Sequence, residues 1–198
     1  MYSGYYKGHG YKFQAVVAPN GLIEDLYGPE PGRHHDIYLW QQSQVGREME
    51  TLPNHPAGRY VLYGDSAYRK PRARRHVAVA YPRHLPLTPS QRELNRLFNR
   101  ARVVVEWAFG HVYALFPLLR FPNLLRTGQS AVGDWYMAAC LLYNFRTCLN
   151  RGNQTSLFFD IVPPTLSEYM DAPRPGVGRY DHVVEAYEVI VNAYPQLG

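Results

Sequence analysis

Residues 94–116, LNRLFNRARVVVEWAFGHVYALF, are the most strongly patterned stretch of the chain and predict one long helix. Their apolar side chains recur at spacings of three and four, which places them on one helix face, toward the core. Ser90 is the predicted N-cap, with Glu93 completing a capping box. The predicted core face comprises Leu94, Leu97, Phe98, Ala101, Val104, Val105, Ala108, Val112, Leu115 and Phe116.

Glu106 lies outside this apolar face and is the only acidic residue between Ala101 and Phe116. Val103 and Phe109 share its side of the helix, so the sequence predicts apolar surroundings for its carboxylate. A carboxylate in such surroundings must be protonated, paired with a cation or bound to a metal ion. An ion pair with Arg102, one turn earlier, is the simplest interpretation. Metal binding is the alternative, and a second candidate acid, Asp65, makes it worth considering.

Composition fits one folded domain, because 46% of the 198 residues are hydrophobic. The sequence has neither an apolar run of 18 residues nor a basic segment leading into an apolar one, so we expect neither a membrane span nor secretion. Cys140 and Cys148 are eight positions apart in a predicted helix, too far for easy bridging. Free thiols in a reducing compartment are therefore expected.

Positive charge is concentrated in one part of the chain. Residues 59–126 contain 13 Lys and Arg but only three acidic residues, a net charge of +10, whereas the remainder has a net charge of −5. The densest part, Arg69–His76, has five permanent positive charges in eight residues. Such clustering indicates a polyanionic partner, nucleic acid first, although a basic stripe can also be merely a solvated face.

The first half of the chain predicts a hairpin followed by a helix. Tyr11–Ala18 and Leu22–Tyr27 read as two strands around a Pro-Asn-Gly turn, and Gly28–Gly32 ends the pattern. A helix is then predicted from Ile37 to about Glu50, with Asp36 as its N-cap. Metal binding by His34, His35 and Asp36 is the alternative, which is weaker because adjacent side chains rarely converge on one ion.

Asp65 follows a short apolar strand at Tyr60–Tyr63, and acids at the carboxyl ends of strands lie where α/β folds bind ligands. A cap or turn role is its simpler alternative. Further along the chain, Val77–Tyr81 predicts a strand, and residues 130–150 predict a helix. Its predicted core side chains are Val132, Trp135, Tyr136, Ala139, Leu142, Tyr143 and Phe145. Beyond Arg151, only Tyr180–Tyr194 has a helical pattern.

Four stretches, in this order, resemble the nuclease domain of PIF/Harbinger-type transposases, the DDE superfamily endonucleases. They are Tyr5–Gly8 leading into the hairpin, the Pro31-Gly32 and His35-Asp36 pairs, Gly64–Tyr68, and Asn99–Gly110. Each motif is weak alone, but the four together are fairly specific, and the resemblance covers roughly residues 2–150.

The resemblance implies an α/β, RNase H-like fold and two metal ions held by Asp, Asp and Glu. Asp65 matches the second acid and Glu106 the third, with 40 residues between them. Mg²⁺ or Mn²⁺ is the implied cofactor, since hard ions take carboxylate oxygens and a metal pair stabilises both the attacking and the leaving oxygen of a phosphodiester displacement.

The family's first Asp lies on a central strand upstream of the Tyr5–Gly8 motif, and no acidic residue precedes Glu24 here. We therefore expect an N-terminally truncated nuclease domain, without the strand that joins the others in the order 3-2-1-4-5, and no cleavage at a useful rate. Leu157–Val162, with Asp160, could replace that strand; a surface strand or loop is the simpler interpretation.

The sequence thus predicts a nuclease domain at residues 1–150, an acidic, proline-containing tail at 151–198 and metal-dependent DNA cleavage as the ancestral activity. Asp65 and Glu106 are the predicted catalytic and metal-binding residues, with His35, Asp36 and Arg102 structural near the site. DNA is the implied partner, and the prediction also allows a separate DNA-binding partner protein. We expect no membrane association and a nuclear or otherwise intracellular location. The alternatives are a nonenzymatic DNA- or protein-binding relative and an unrelated interaction domain. The predicted DNA contacts are Arg69, Lys70, Arg72, Arg74 and Arg75.

Overall fold

Short strands and helices alternate along the chain in a computed structural model that describes residues 2–3, 8–52, 60–70, 73, 75–82, 84–120 and 131–172. The strands are β1 (Tyr2–Ser3), β2 (Gly8–His9), β3 (Tyr11–Val17), β4 (Ile23–Pro31), β5 (Leu62–Gly64) and β6 (Val77–Val79). The α-helices are α1 (Asp36–Gln42), α2 (Val45–Thr51), α3 (Pro89–Leu115), α4 (Val132–Leu149), α5 (Gln154–Phe159) and α6 (Leu166–Asp171), with 3₁₀ turns at Ser66–Arg69 and Pro117–Arg120. Residues 5–7, Arg72, Arg74 and the predicted helix Tyr180–Tyr194 lie outside the described residues.

β3 and β4 form the predicted antiparallel hairpin. Gly21 in its turn has a φ of +87°, a conformation that glycine adopts without strain. The prediction that Gly28–Gly32 ends the second strand is wrong, because β4 continues until Pro31 pairs with Tyr11. The register is irregular between Lys12 and Gln14, in the outer part of the hairpin that contains the prolines of β4.

Side chains of β3 alternate between two layers of helices. Phe13 and Ala15 pack against the core that α3 and α4 build, which contains Ala108. Val16, which points the other way, packs against the core around Trp40 of α1. Because successive strand residues face opposite sides, β3 lies between helices on both of its faces.

β5 and β6 form a second, parallel pair, in which Leu62 is opposite Val77. Leu62 packs into the same core as Trp40, while the ring of Tyr63 lies 5.2 Å from that of Phe98 on α3. The described strands make three separate two-stranded sheets. The α/β class is confirmed as small sheets flanked by helices, and a continuous RNase H-like sheet stays a prediction.

α3 is the predicted long helix, and it starts earlier than expected. Thr88, not Ser90, is its N-cap: Thr88 accepts a hydrogen bond from the backbone N–H of Gln91, whose side chain bonds back to Thr88. Pro89 explains the shift, since proline fits the first helical position, where no N–H is needed. Glu93, the predicted partner in the capping box, pairs with Arg96 instead.

The helix predicted from Ile37 to about Glu50 is divided into α1 and α2. Ser43 adopts an extended conformation between them, and its hydroxyl donates to the carbonyl of Trp40 and accepts a hydrogen bond from the Gln14 amide. These side-chain bonds replace helical ones at the break. Asp36 is not the N-cap, because His35 occupies that position and Asp36 is already in the first turn.

α4 confirms the second predicted long helix and part of its predicted core face. Tyr136, Ala139 and Tyr143 are buried as predicted, whereas Trp135 and Leu142, also predicted to be core, are exposed. Cys140 and Cys148 are buried free thiols on this helix. Burial raises the pKa of Cys140 to about 11 and also raises that of Cys148, so both keep their protons at neutral pH.

Membrane-spanning character is not found in any helix of the described part of the chain, since none combines sufficient length with sufficient apolarity.

The prediction that only Tyr180–Tyr194 is helical beyond Arg151 is wrong, because α5 and α6 lie in that region. Asn153 and Thr165 are their N-caps, each in a capping box. The suggestion that Leu157–Val162 forms a strand is also wrong: its first three residues are the end of α5, and Asp160 is a C-cap in the left-handed region. These local capping signals decide the conformation where the apolar pattern is ambiguous.

Asn153 fixes α5 to the hairpin turn and to α4. Its amide N–H₂ group donates to the carbonyl of Gly21 and to the hydroxyls of Tyr143 and Thr147. Its amide oxygen accepts from the backbone N–H groups of Thr155 and Ser156. One side chain therefore joins three parts of the fold.

Replacing Asn153 with Ala should lower the free energy of unfolding by about 2–4 kcal/mol, because a helix cap and hydrogen bonds to partly buried groups are lost together. Urea denaturation measures the change. Ser167→Ala is the matched control, since it removes an exposed bond to Asp171, and should cost less than about 0.5 kcal/mol. Equal effects of the two substitutions would contradict the role of Asn153.

Candidate functional site

A cavity of about 550 Å³ lies between β3 and β5. The middle of α3 lines it, and so do α1 and α2, the helices that pack with Val16 and Leu62. Phe159, at the end of α5, also reaches it. Four acidic residues are among its lining residues: Glu24, Asp36, Asp65 and Glu106. The two acids chosen from sequence therefore line one cavity, together with two further acids.

Asp65 is where the sequence predicted it, directly after β5. Its backbone carbonyl accepts from the N–H of Tyr68 at 3.0 Å, and its exposed carboxylate accepts from the Ser66 hydroxyl at 2.9 Å. Asp65 does not cap the following 3₁₀ turn with its side chain. Gly64 must stay glycine, because a Cβ there would lie 2.5 Å from a methyl carbon of Val77. Close packing of β5 on β6 thus positions Asp65.

Glu106 also lines the cavity, but its surroundings differ from the prediction. Its side chain is 57% exposed, and one carboxylate oxygen lies 2.7 Å from the Arg102 guanidinium. The predicted loss of hydration is wrong, because neighbours such as Phe109 are only partly buried and leave this side of α3 open to water. The structure shows the simpler interpretation, an ion pair with Arg102, and metal binding by Glu106 stays a prediction.

Asp36 is held by Lys12 rather than used as a cap. The Lys12 ammonium lies 2.9 Å from the Asp36 carboxylate and also donates to the carbonyl of His34. This contact ties β3 to the start of α1. His34 pairs with Glu30 at 2.8 Å, so the neighbours His34 and Asp36 have separate partners rather than one shared ion.

Tyr68 stands between these acids and was missed in the sequence. Its hydroxyl donates to the Gln14 amide oxygen at 3.3 Å, and Gln14 donates onward to Ser43. Burial raises the pKa of Tyr68, and the negative charges of Asp36 and Asp65 raise it further. The phenol therefore remains a neutral hydrogen-bond donor at physiological pH. The only sequence signal was its place in the GDSAY motif.

Carboxylate oxygens are suitable ligands for Mg²⁺ or Mn²⁺, so the donor chemistry of Asp65 and Glu106 fits such an ion. The number of ligand side chains is less favourable. In the described part of the chain, no three His, Cys, Asp or Glu side chains are grouped so that they could hold a metal. Asp36 and Glu106 each have a basic partner, Lys12 and Arg102. A metal held by Asp65 and Glu106 would therefore compete with Arg102 for the Glu106 carboxylate.

The basic cluster after Asp65 is exposed where the structure describes it, at Arg69, Lys70 and Arg75. Arg69 donates to the carbonyl of Ala80, and Arg75 lies 3.6 Å from Glu50. Neither contact buries the charge. The described part of the cluster thus remains accessible to a phosphate backbone.

A second row of arginines, Arg92, Arg96 and Arg100, is exposed along α3. Their spacing of four residues places them on one helix face, a signal that was present in the sequence and was not used. Arg96 pairs with Glu93, and the Arg100 guanidinium lies 5.5 Å from the ring centre of Phe158. α3 therefore adds a second exposed basic row to the cluster that follows Asp65.

Comparison with protein-family models matches residues 1–144 to the family described as DDE superfamily endonuclease. Searches of curated proteins and of solved structures found no match. The matched region contains Asp36, Asp65 and Glu106, while Phe159 lies beyond it. Because the match covers well over half of the 198 residues, the chain belongs to the DDE superfamily endonuclease family.

Proposed function

We propose that this cavity is the metal site of a transposase-derived, Harbinger-type nuclease domain that acts on DNA phosphodiester bonds. The observation that carries the proposal is that Asp65 and Glu106, from distant parts of the chain, line one cavity in a member of an endonuclease family. Helices on both faces of β3, and a parallel pair that ends at Asp65, are compatible with an RNase H-like arrangement.

Asp65 and Glu106 would hold Mg²⁺ or Mn²⁺. Such ions, when bound, stabilise negative charge on the attacking and leaving oxygens of a phosphodiester. Tyr68 contributes a hydroxyl that stays protonated. Arg102 neutralises Glu106 without a metal, and once displaced it would be free to contact a DNA phosphate. Lys12 keeps Asp36 in place at the edge of the site.

A second candidate is a nonenzymatic relative that binds DNA or protein, and the ion pair between Arg102 and Glu106 favours it. In that case the pair is permanent and the cavity binds no metal. Direct measurement of metal binding separates the two functions, because only the nuclease proposal requires Asp65 and Glu106 to share an ion.

Mn²⁺ should bind the protein weakly and lose affinity on replacement of Asp65 with Asn. Arg102→Met should strengthen binding several-fold, because the metal no longer competes with a cation for Glu106. Electron paramagnetic resonance of free Mn²⁺ gives both affinities. Glu93→Gln is the control, since it changes a similarly paired acid elsewhere on α3 and should have no effect. Equal affinity of the wild type and Asp65→Asn would contradict the metal site.

DNA binding should depend on the charge of the Arg69–Arg75 cluster without depending on DNA sequence, because phosphate contacts carry no base information. Replacing Arg72, Arg74 and Arg75 with Ala should weaken binding to all duplexes about equally and flatten the dependence of log Kd on log salt concentration by up to about three units of slope.

Fluorescence anisotropy over a range of salt concentrations measures this slope. A matched control replaces Arg146 and Arg151 with Ala, since both are basic residues outside the cluster. A slope that the triple substitution leaves unchanged would exclude the cluster from the interface.

The 198-residue chain should nick plasmid DNA no faster than its Asp65→Asn, Glu106→Gln variant, even with Mn²⁺. A two-metal site needs ions about 3.5–4 Å apart, and two carboxylates, one of them paired with Arg102, do not fix that spacing. Gel electrophoresis of supercoiled plasmid gives the rates. Rapid nicking that either substitution abolishes would contradict this expectation while supporting the nuclease site itself.

A further inference from the structure

We propose that the exposed side of α4 is a docking surface for residues 180–194 of the same chain, which would pack on it as a helix. This surface, hereafter the α4 seam, is defined by Trp135, Ala138, Leu142, Phe145 and Leu149. The proposal goes beyond the proposed function and does not depend on it, because no residue of α4, a helix that the structure describes in full, lines the cavity between β3 and β5.

α4 is apolar on all sides, yet only one side is buried. Its 18 residues include two charged ones, Asp134 and Arg146. One side packs into the core that contains Ala108 of α3. On the other side, Leu142 and Leu149 are 49% and 65% exposed. A helix that is apolar all round is normally covered all round, and contiguous exposed apolar side chains mark interaction sites. Within the residues that the structure describes, α4 therefore lacks part of its cover.

The α4 seam has the spacing of a helix–helix contact. Its five residues follow one another at intervals of three, four, three and four positions. These are the intervals of the a and d positions of a heptad, which keep an apolar stripe turned toward one partner helix. The α4 seam therefore fits an amphipathic helix of similar length.

Residues 180–194 have the complementary pattern. Their predicted helix has apolar residues at intervals of four, three, four and three, while Asp181, Glu185 and Glu188 fall on another side. The first and last of these apolar residues are 14 positions apart, as are Trp135 and Leu149, which corresponds to about 21 Å of helix. The apolar stripe comprises Tyr180, Val184, Tyr187, Val191 and Tyr194.

The last described helix, α6, brings the chain to the α4 seam. The hydroxyl of Tyr169 accepts a hydrogen bond from the Asn144 amide at 3.0 Å, and its ring centre lies 6.0 Å from that of Phe145. Residues 173–179 connect α6 to the segment, and these seven residues can span at most about 25 Å. The far end of the α4 seam, at Trp135, is only about 15 Å from Phe145 along the helix. The segment can therefore reach the α4 seam of its own chain.

Charge also favours this occupant. Residues 180–194 contain three acidic residues and no Lys or Arg. Arg146, the one basic residue of α4, is exposed next to the α4 seam. An acidic helix would therefore meet positive charge there, and such complementarity contributes specificity more than affinity.

A connection of seven residues favours docking within one chain over pairing between two copies. A short linker gives its attached segment an effective concentration on the order of millimolar, which exceeds that of a second copy in dilute solution. The segment of the same chain therefore occupies the α4 seam first.

Amide hydrogen exchange of the 198-residue protein tests the docking. Exchange in residues 180–194 should be about tenfold or more slower than in a synthetic peptide of residues 173–198, because an isolated helix of this length is marginal in water. Leu142→Glu should abolish most of this protection by placing a charge in the α4 seam. Tyr187→Glu should do the same from the other side of the contact, although glutamate is the better helix former.

Two matched variants place the same charge outside the proposed contact. Leu157→Glu changes an apolar residue of α5 that is 81% exposed. Val189→Glu changes the side of the predicted helix opposite Tyr187. Both should keep the protection of residues 180–194. Circular dichroism establishes that all four variants fold.

Unprotected amides in the wild-type segment, or protection that Leu142→Glu leaves unchanged, would overturn the proposal. Sedimentation and exchange at about 1 µM and about 50 µM protein separate docking within one chain from pairing of two copies, because only the second depends on concentration. We expect a monomer with equal protection at both concentrations. A dimer whose protection grows with concentration would assign the α4 seam to a second copy and also overturn the proposal.

Discussion

The contact of α3 with both β3 and β5 is the interaction on which the rest of the structure depends. The two strands belong to separate sheets, so no strand pairing within the described residues holds one pair against the other. α3 instead contributes Ala108 and Val112 to the core under the hairpin and Phe98 to a ring contact with Tyr63. This bridge brings Glu106 to the same cavity as Asp65.

The charges at the cavity follow from this architecture. Four acids line one cavity. Lys12 and Arg102 are the basic partners of Asp36 and Glu106, and these two ion pairs reduce the repulsion among the acids. Exposed ion pairs contribute little to stability, which makes them exchangeable for a metal ion at modest cost. The fold therefore tolerates acids that are paired with a basic side chain or bound to a metal ion. Whether a divalent ion binds decides between the nuclease and the nonenzymatic function.

Local and periodic signals predicted much of this fold. The spacing of apolar residues gave α3, and turn chemistry gave the hairpin. The break at Ser43 could not be predicted, because it depends on a hydrogen bond from Gln14, which is distant in the chain. For the site, Asp65 could be placed from the strand before it, but the exposure of Glu106 depends on how completely neighbouring segments cover α3. Asp36 was predicted to be an N-cap. Its ion pair with Lys12 could not be predicted, because Lys12 is on another element.

The central claim is that Asp65 and Glu106 share a divalent ion, and anomalous X-ray diffraction at the manganese absorption edge tests it most directly. Crystals of the protein soaked in Mn²⁺ should show a peak within bonding distance of carboxylate oxygens of both residues, with Arg102 turned away from Glu106. A map without a peak at this position, in which Arg102 still pairs with Glu106, would contradict the claim.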